Sequence, residues 1–307
     1  MLRIVSLISS ATEIVHALGL GDFQVGRSHE CDFPPNVLSL PVCTQPKFPV
    51  DGSSAEIDRL VRETLAEAGS VYDVFDDVLA GLRPTHILTQ TQCKVCAVSL
   101  EDVERAISAR FATAPVVVAL EPNSLSDVWD DIRRVAGGCG VANNGGGLVS
   151  SLQERLSTIA AKASSSARRP RVACVEWTDP LMVAGNWVPE LVELAGGINL
   201  FGKPGQHSPP LPWEELVAAN PDVIAVMPCG FDLPRTRTEL HALVSRPEWP
   251  SLRAVREGLV YVTDGNQYFN RPGPRLVESA QILAEIFHPE LFPPQLEGKG
   301  WERVTKR

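Results

Sequence analysis

The strongest constraint on this chain is its rhythm. From residue 3 to residue 287, short apolar runs alternate with stretches whose apolar residues recur every three or four positions. A strand buried on both faces reads as a short continuous apolar run, and a helix packed on one face shows a period near 3.6. "RIVSL" (3–7) is the first such run; Ser9, Ser10 and Thr12 follow as candidate caps for a helix over 12–18 that stops at Gly19 and Gly21. "FQVGRS" reads as the next strand, ahead of the polar loop "HECDFPP". "VYDVFDDVLAGLRP" has a helical pattern and leads into strand "THILT"; "LEDVERAISARF", "PVVVAL" and "LSDVWDDIRRVAGGCG" then read as helix, buried strand and helix. Such alternation predicts an α/β fold with a mainly parallel sheet.

The rhythm breaks once, at "NNGGG", and "GGCGVANNGGG" follows a helix rather than a strand, so it reads as a linker. Past it, Leu148, Leu152, Leu156 and Ile159 recur at helical spacing, until "KASSSARRP" ends the helix in polar residues. The alternation then resumes with strand "RVACVEW", helices "VPELVELAGG" and "WEELVAA", strand "DVIAVMP", helix "RTELHALVS", strand "LVYVTD" and helix "RLVESAQILAEIF". The expected architecture is two Rossmann-like lobes, over 1–143 and 168–307, joined by one long bridging helix over 144–167. "LRPTHILTQTQC" and "ANPDVIAVMPCG" echo each other, each running from a helix end through proline and an apolar strand to a cysteine-bearing loop.

Composition excludes some classes of function. The 307 residues carry a formal net charge of −9, and the isoelectric point near 5.2 disfavours nucleic acid, whose phosphates need a basic face. No run of about 18 apolar residues is present, so no membrane-spanning helix is expected. "MLRIVSL" enters a strand pattern at residue 2 without the basic start, apolar run and cleavage site of a secretory signal. The expectation is a cytoplasmic protein, or a periplasmic one if a signal peptide was trimmed. Seven cysteines without a disulfide-like framework agree with the former.

Residues that a core does not need gather at the C-terminal ends of the expected strands, where open parallel sheets form their ligand crevice. Ser9, Ser10 and Thr12 follow the first strand; His29, Glu30, Cys31, Asp32 and Phe33 the second; Gln90, Gln92, Cys93 and Cys96 the 84–89 strand. In the second half the clusters are Glu176, Trp177 and Asp179, then Cys229, Phe231 and Asp232, then Asp264, Asn266, Tyr268, Asn270 and Arg271. The expectation is one cleft fed by both lobes. Cys93 and Cys96 fit three roles: packing or ligand lining, metal binding with distant ligands, or a dithiol redox pair. His29 and Cys31 in "HECD" suit a soft metal, or a loop held by Asp32 through an Asx-type turn. Trp177 and Trp187 offer broad, rigid contact to a flat ligand, or core packing. Tyr268 and Arg271 lie in "GNQYFNRPGPR", which its prolines keep irregular, as ligand contacts or loop staples. Walker loops, G-x-G-x-x-G, G-x-S-x-G and H-E-x-x-H are absent from the sequence.

"RIVSLISSATEIVHALGLGDFQVGRSHECDFPP", "LRPTHILTQ", "VPELVELAGGINLFG" and "ANPDVIAVMPCGFD" together resemble the cobalamin and iron-siderophore substrate-binding proteins of ABC importers, the helical-backbone metal receptors. The resemblance spans about residue 3 to residue 288, and its most specific marks are "S-L-x-x-S-x-T-E" from Ser6 to Glu13 and "ELAGG" from Glu193 to Gly197. It implies a class III periplasmic-binding-protein fold whose cleft grips a cobalamin-like or other metal-chelate ligand. On matching positions the cleft would be lined by Ser9–Thr12, His29–Phe33, Gln90–Cys96, Trp177, Trp187, Cys229–Asp232 and Asn266–Arg271. It also implies an ABC permease docked through acidic residues, with Asp76 or Asp77 and Glu190 or Glu193 in comparable segments. The chain departs from the exported members in lacking a signal peptide or lipoprotein cysteine, in carrying Ser9 where many have proline, and in its polar, cysteine-rich edge loops.

Two functions follow from these readings. One is non-catalytic binding of the metal chelate. The other is a cytosolic metal- or cluster-dependent enzyme or sensor with a bound transition metal on His29, Cys31, Cys93, Cys96 and Cys229, and Glu176 or Asp232 as acid or base. A dithiol redox protein built on Cys93 is a third.

Overall fold

The structure, a computed structural model, describes residues 1–91, 100–111 and 113–304. The chain divides into two compact units: Met1–Gly52, Glu56–Pro122 and Ser126–Ser151 form the first, and Ser53–Ala55, Asn123–Leu125 and Leu152–Arg307 the second.

In the first unit the chain runs β1 (Ile4–Ser6), α1 (Ser9–Ala17), β2 (Gln24–Arg27), β3 (Thr44–Pro46), α2 (Ser54–Ala68), β4 (Tyr72–Val74), α3 (Asp76–Leu82), β5 (His86–Gln90), α4 (Leu100–Arg110), β6 (Val116–Leu120) and α5 (Leu125–Gly138). Strands β2-β1-β5-β6 pair in that order, all parallel, while β3 and β4 form a separate antiparallel pair. Val5 and Ile87 on adjacent central strands pack with Leu79, Val103 and Ala106, all essentially inaccessible to solvent. Each such aliphatic side chain stabilises the unit by roughly 1.5–3 kcal/mol through area removed from water.

Three local expectations need correction. Helix α1 begins at Ser9 rather than at residue 12, and its N-cap, Ile8, makes no side-chain cap bond. Ser9, Ser10 and Thr12 are therefore buried within the helix and do not cap it. The stretch from Val71 was expected to be helical, yet Tyr72–Val74 is a strand because Thr44, Gln45 and Pro46 pair with it from 28 residues earlier. The "NNGGG" break does not exist: α6 (Ala142–Ala163) runs straight through it. A glycine costs a helix about 1 kcal/mol, so packing must supply the compensation. At Gly145 it does, since a Cβ there would stand 2.5 Å from that of Ala136 on α5. The absent side chain lets α5 and α6 approach closely. Asn144 adds a 3.3 Å bond to the Leu18 carbonyl.

The helix expected over 144–167 is thus α6, which passes from the first unit into the second between Ser151 and Leu152. The second unit continues with β7 (Arg171–Thr178), β8 (Leu181–Val183), α7 (Val188–Leu194), β9 (Ile198–Asn199), α8 (Trp213–Ala219), β10 (Val223–Val226), α9 (Leu233–Glu239), α10 (His241–Val244), α11 (Arg253–Glu257), β11 (Val260–Thr263), α12 (Leu276–Phe287) and β12 (Trp301–Arg303). Its sheet has the order β12-β11-β10-β7-β8, with β9 also on β7. The β11-β10-β7 centre is parallel, and β8 and β12 close the edges antiparallel. These short strands escaped the sequence reading because two or three residues carry no period. Ala173, Val175, Ile224, Val226, Val260 and Val262 supply one buried face of the sheet. On α12, the buried carboxylate of Glu285 accepts from Trp301 Nε1 at 2.8 Å and from the Leu296 amide at 3.1 Å, which fixes the C-terminal segment. Among the described residues, no helix is long and apolar enough to cross a membrane.

Candidate ligand-binding site

At the carboxyl edge of the first unit's sheet, β2 ends in Arg27, whose buried guanidinium organises the loop that follows. Its Nη1 donates to the carbonyls of Ser28 and Cys31 at 3.1 Å, and its Nη2 reaches Leu38. The loop returns to β2 through the Cys43 amide, which donates to the Arg27 carbonyl at 2.8 Å. "HECD" is therefore stapled by Arg27, a residue outside the motif. Within it, side chains two positions apart part company. Cys31 is wholly buried, and its sulfur accepts from the Thr12 hydroxyl at 3.0 Å. Thr12 in turn accepts from the Gln24 amide at 3.2 Å. Cys31 was expected as a metal ligand on the edge; it lies inside the unit instead.

His29 stays partly open. Its backbone N–H and its ring Nδ1 both meet Thr44 Oγ1, at 3.2 and 2.8 Å, and its ring packs 5.2 Å from that of Tyr72. Burial, and secondarily the charge of Arg27, push its pKa down to about 4, so the imidazole is neutral at pH 7. Glu30 is exposed and accepts from the Tyr72 hydroxyl at 3.4 Å; Phe33 is exposed at the loop's tip. Ser9 and Ser10 are buried, and the Ser10 hydroxyl lacks a hydrogen-bond partner. Gln90 is buried at the end of β5. Gln92, Cys93 and Cys96 lie outside the described residues.

The second unit's edge is built from three loops. Strand β7 carries a bulge between Val175 and Trp177, placing Glu176 at the irregularity and turning Trp177 toward Phe231, 5.3 Å away ring to ring. Trp177 Nε1 donates to the Ser54 carbonyl at 3.2 Å. Arg235 places its guanidinium 3.8 Å from the centre of the Phe231 ring. Asp232 is exposed and caps α9, accepting from the Arg235 amide at 2.9 Å. Beyond β11 the chain makes a single π-turn over Gly265–Phe269, capped by Asp264, which accepts from Gln267 N at 2.7 Å. Gly265 is obligatory there, because a Cβ would stand 2.2 Å from the Pro228 carbonyl oxygen. Asn266 donates its amide to the Phe231 carbonyl at 3.1 Å and accepts from the buried Arg271 at 3.0 Å. Arg275 lies 5.4 Å from the Tyr268 ring centre.

Trp187 was expected to line a cleft, but it is buried and its Nε1 donates to the Phe269 carbonyl at 2.9 Å, holding the π-turn from behind. Glu176 is partly buried; desolvation pushes its pKa up to about 7, against a smaller downward pull from its hydrogen bond with Ser208. Cys229 is exposed, and its amide donates to the Glu176 carbonyl at 3.3 Å. Among the described residues, no group of three or more His, Cys, Asp or Glu side chains is placed to hold a metal ion. Sequence reasoning missed Thr44, Tyr72, Arg235 and Ser208. Arg235 had a signal, four residues past Phe231 at a helix start. Thr44 had none, because its partner, His29, is distant in the chain.

The acidic residues expected to face a permease are differently engaged. Asp77, in the first turn of α3, is highly exposed and pairs with Arg110 at 3.1 Å. Asp76 precedes it in the same turn. Glu190 accepts from the Leu125 amide at 2.9 Å, and Glu193 from Arg169 at 2.6 Å and Asn199 at 3.1 Å.

Two α/β units with parallel central strands, and one long helix running from the first into the second, are the elements of a class III periplasmic-binding-protein fold. The chain belongs to the periplasmic binding protein family, whose model matches residues 4–267. It is 24% identical over 298 residues to an ABC transporter substrate-binding lipoprotein of Bacillus subtilis (strain 168), covering 94% of this chain and 81% of that protein. It is 22% identical to a vitamin B12-binding protein of Vibrio cholerae, covering 91% and 86%. Among solved structures, the periplasmic heme-binding protein RhuT from Roseiflexus sp. RS-1 matches with a TM-score of 0.69 at 24% identity, over 94% of this chain and 98% of that one. This last likeness bears on the fold.

Proposed function

We propose that the protein binds, without chemical turnover, a small metal chelate of the cobalamin or heme class through the carboxyl-edge loops of its sheets. The observation that carries this reading is the second unit's edge. There the partly buried rings of Trp177 and Tyr268 lie beside Phe231, with the guanidinium groups of Arg235 and Arg275 against Phe231 and Tyr268. Aromatic faces suit the broad apolar plane of a macrocycle, and the guanidinium groups suit its carboxylate, amide or phosphate periphery. The family and the ligands named for the vitamin B12-binding and heme-binding relatives support the same class. An ABC permease is the partner this reading entails, with Asp76 and Asp77 exposed in α3 and Glu190 and Glu193 on α7 as its contact residues.

The test is titration of the purified protein with cyanocobalamin and with hemin, followed by visible absorption and by heat. Saturable binding in the micromolar range or tighter is expected, weakened at least tenfold by Trp177→Ala. Silence toward both macrocycles at high micromolar concentration would overturn the reading.

A further inference from the structure

A metal can be held by several protein side chains, or it can arrive inside its own chelator and need at most one more ligand. The first route has no group of side chains to serve it among the described residues. The second has one well-formed donor. His29 is anchored twice to a single atom, Thr44 Oγ1, through its backbone N–H at 3.2 Å and its Nδ1 at 2.8 Å. That oxygen has two lone pairs, so it can take both N–H groups, and the tautomer with the proton on Nδ1 leaves the Nε2 lone pair unused. Thr44 is buried, so water does not compete for its hydroxyl. Tyr72 fixes the ring plane from one side, and Glu30 Oε1 stands 3.9 Å from Nε2, beyond hydrogen-bond range. The imidazole side chain keeps 24% of its surface open. A hydrogen bond that orients the far nitrogen of a neutral imidazole is how proteins prepare a histidine to bind metal.

We propose that His29 Nε2 is an axial ligand to the metal at the centre of the bound chelate. The inference rests on the proposed function and deepens it, since it restricts the ligand to macrocycles whose metal has an exchangeable axial position. Aquocobalamin and ferric heme share that chemistry. In the binding step, Nε2 donates its lone pair to the metal, one coordinated water leaves, no proton moves, and the oxidation state is unchanged. Cyanocobalamin, with cyanide on one face of the cobalt and its own base on the other, has no such position.

The experiment compares the wild-type protein with His29→Ala, using aquocobalamin, ferric hemin and cyanocobalamin as probes. Wild-type protein is expected to shift the absorption bands of aquocobalamin or hemin toward those of the imidazole-ligated macrocycle, and whichever responds identifies the source. His29→Ala should lose that shift and at least tenfold in affinity for the responding probe, while any affinity for cyanocobalamin is unchanged within twofold. Folding of the variant is checked by its far-ultraviolet circular dichroism and thermal midpoint. If a macrocycle binds and the two proteins give the same spectrum, the axial role is refuted while the proposed function stands. If no macrocycle binds either protein, the proposed function itself has failed and the axial role fails with it. A His29→Ala protein that loses cyanocobalamin as completely as the others would show a structural rather than a coordinating role, and would also overturn the inference.

Discussion

Glu176 permits the sharpest physical test of the second unit. Its carboxyl sits at the β7 bulge, and burial raises its pKa from 4.5 to about 7. A carboxylate whose folded pKa lies above its unfolded value opposes folding when ionised. Below 4.5 both states hold the proton and nothing is lost; between 4.5 and about 7 the unfolded chain ionises first and stability falls; above that range the loss is complete. The gap corresponds to something on the order of 3 kcal/mol at pH 8. Glu176→Gln keeps an oxygen to accept from Ser208 but carries no charge, so it removes this penalty. The variant should match wild type near pH 4 and exceed it by about 3 kcal/mol at pH 8, or roughly 6–12 °C in midpoint for a unit of this size. Tryptophan fluorescence during urea unfolding reads the relevant unit, because Trp177, Trp187, Trp213, Trp249 and Trp301 lie in it and only Trp129 in the other. Asp264, also raised by burial, titrates in both proteins and cancels in the difference. A variant no more stable than wild type at pH 8, or one whose advantage is the same at pH 4, would refute the assignment.

Two further substitutions test how the sheet edges are held. Gly185→Ala places a Cβ 2.4 Å from the Gln206 carbonyl oxygen and 2.8 Å from the Ser208 amide nitrogen, backbone atoms that cannot rotate away. It should cost about 3 kcal/mol, read as a lower urea midpoint. Glu285→Ala strips the acceptor from Trp301 Nε1 and the Leu296 amide, and should cost roughly 3 kcal/mol while increasing proteolysis of the C-terminal segment; a change under about 1 kcal/mol would refute that role.

Much of the site's address was legible in the chain. Polar clusters after apolar runs mark carboxyl edges, and Trp177, Asp232, Asn266, Tyr268 and Arg271 do fall on the loops after β7, β10 and β11. The facing of each side chain was not legible. Cys31 and His29 share one motif, yet Thr12 takes Cys31 inside while Thr44 holds His29 near the surface. Trp187 and Trp177 look alike in sequence, and only the Phe269 carbonyl separates a buried staple from a partly open ring. The glycines of α6 misled for the same reason, since their helix is bought by contact with Ala136.

The sequence by itself determined the α/β class, the strand order along the chain, the long helix and the family, because periodicity and turn chemistry are local and repeat across many residues. Tertiary structure alone decided which edge residues can meet a ligand. Facing, hydrogen-bond partner and protonation state depend on groups tens of residues away, such as Thr44 for His29 and Ser208 for Glu176, and no local pattern encodes them.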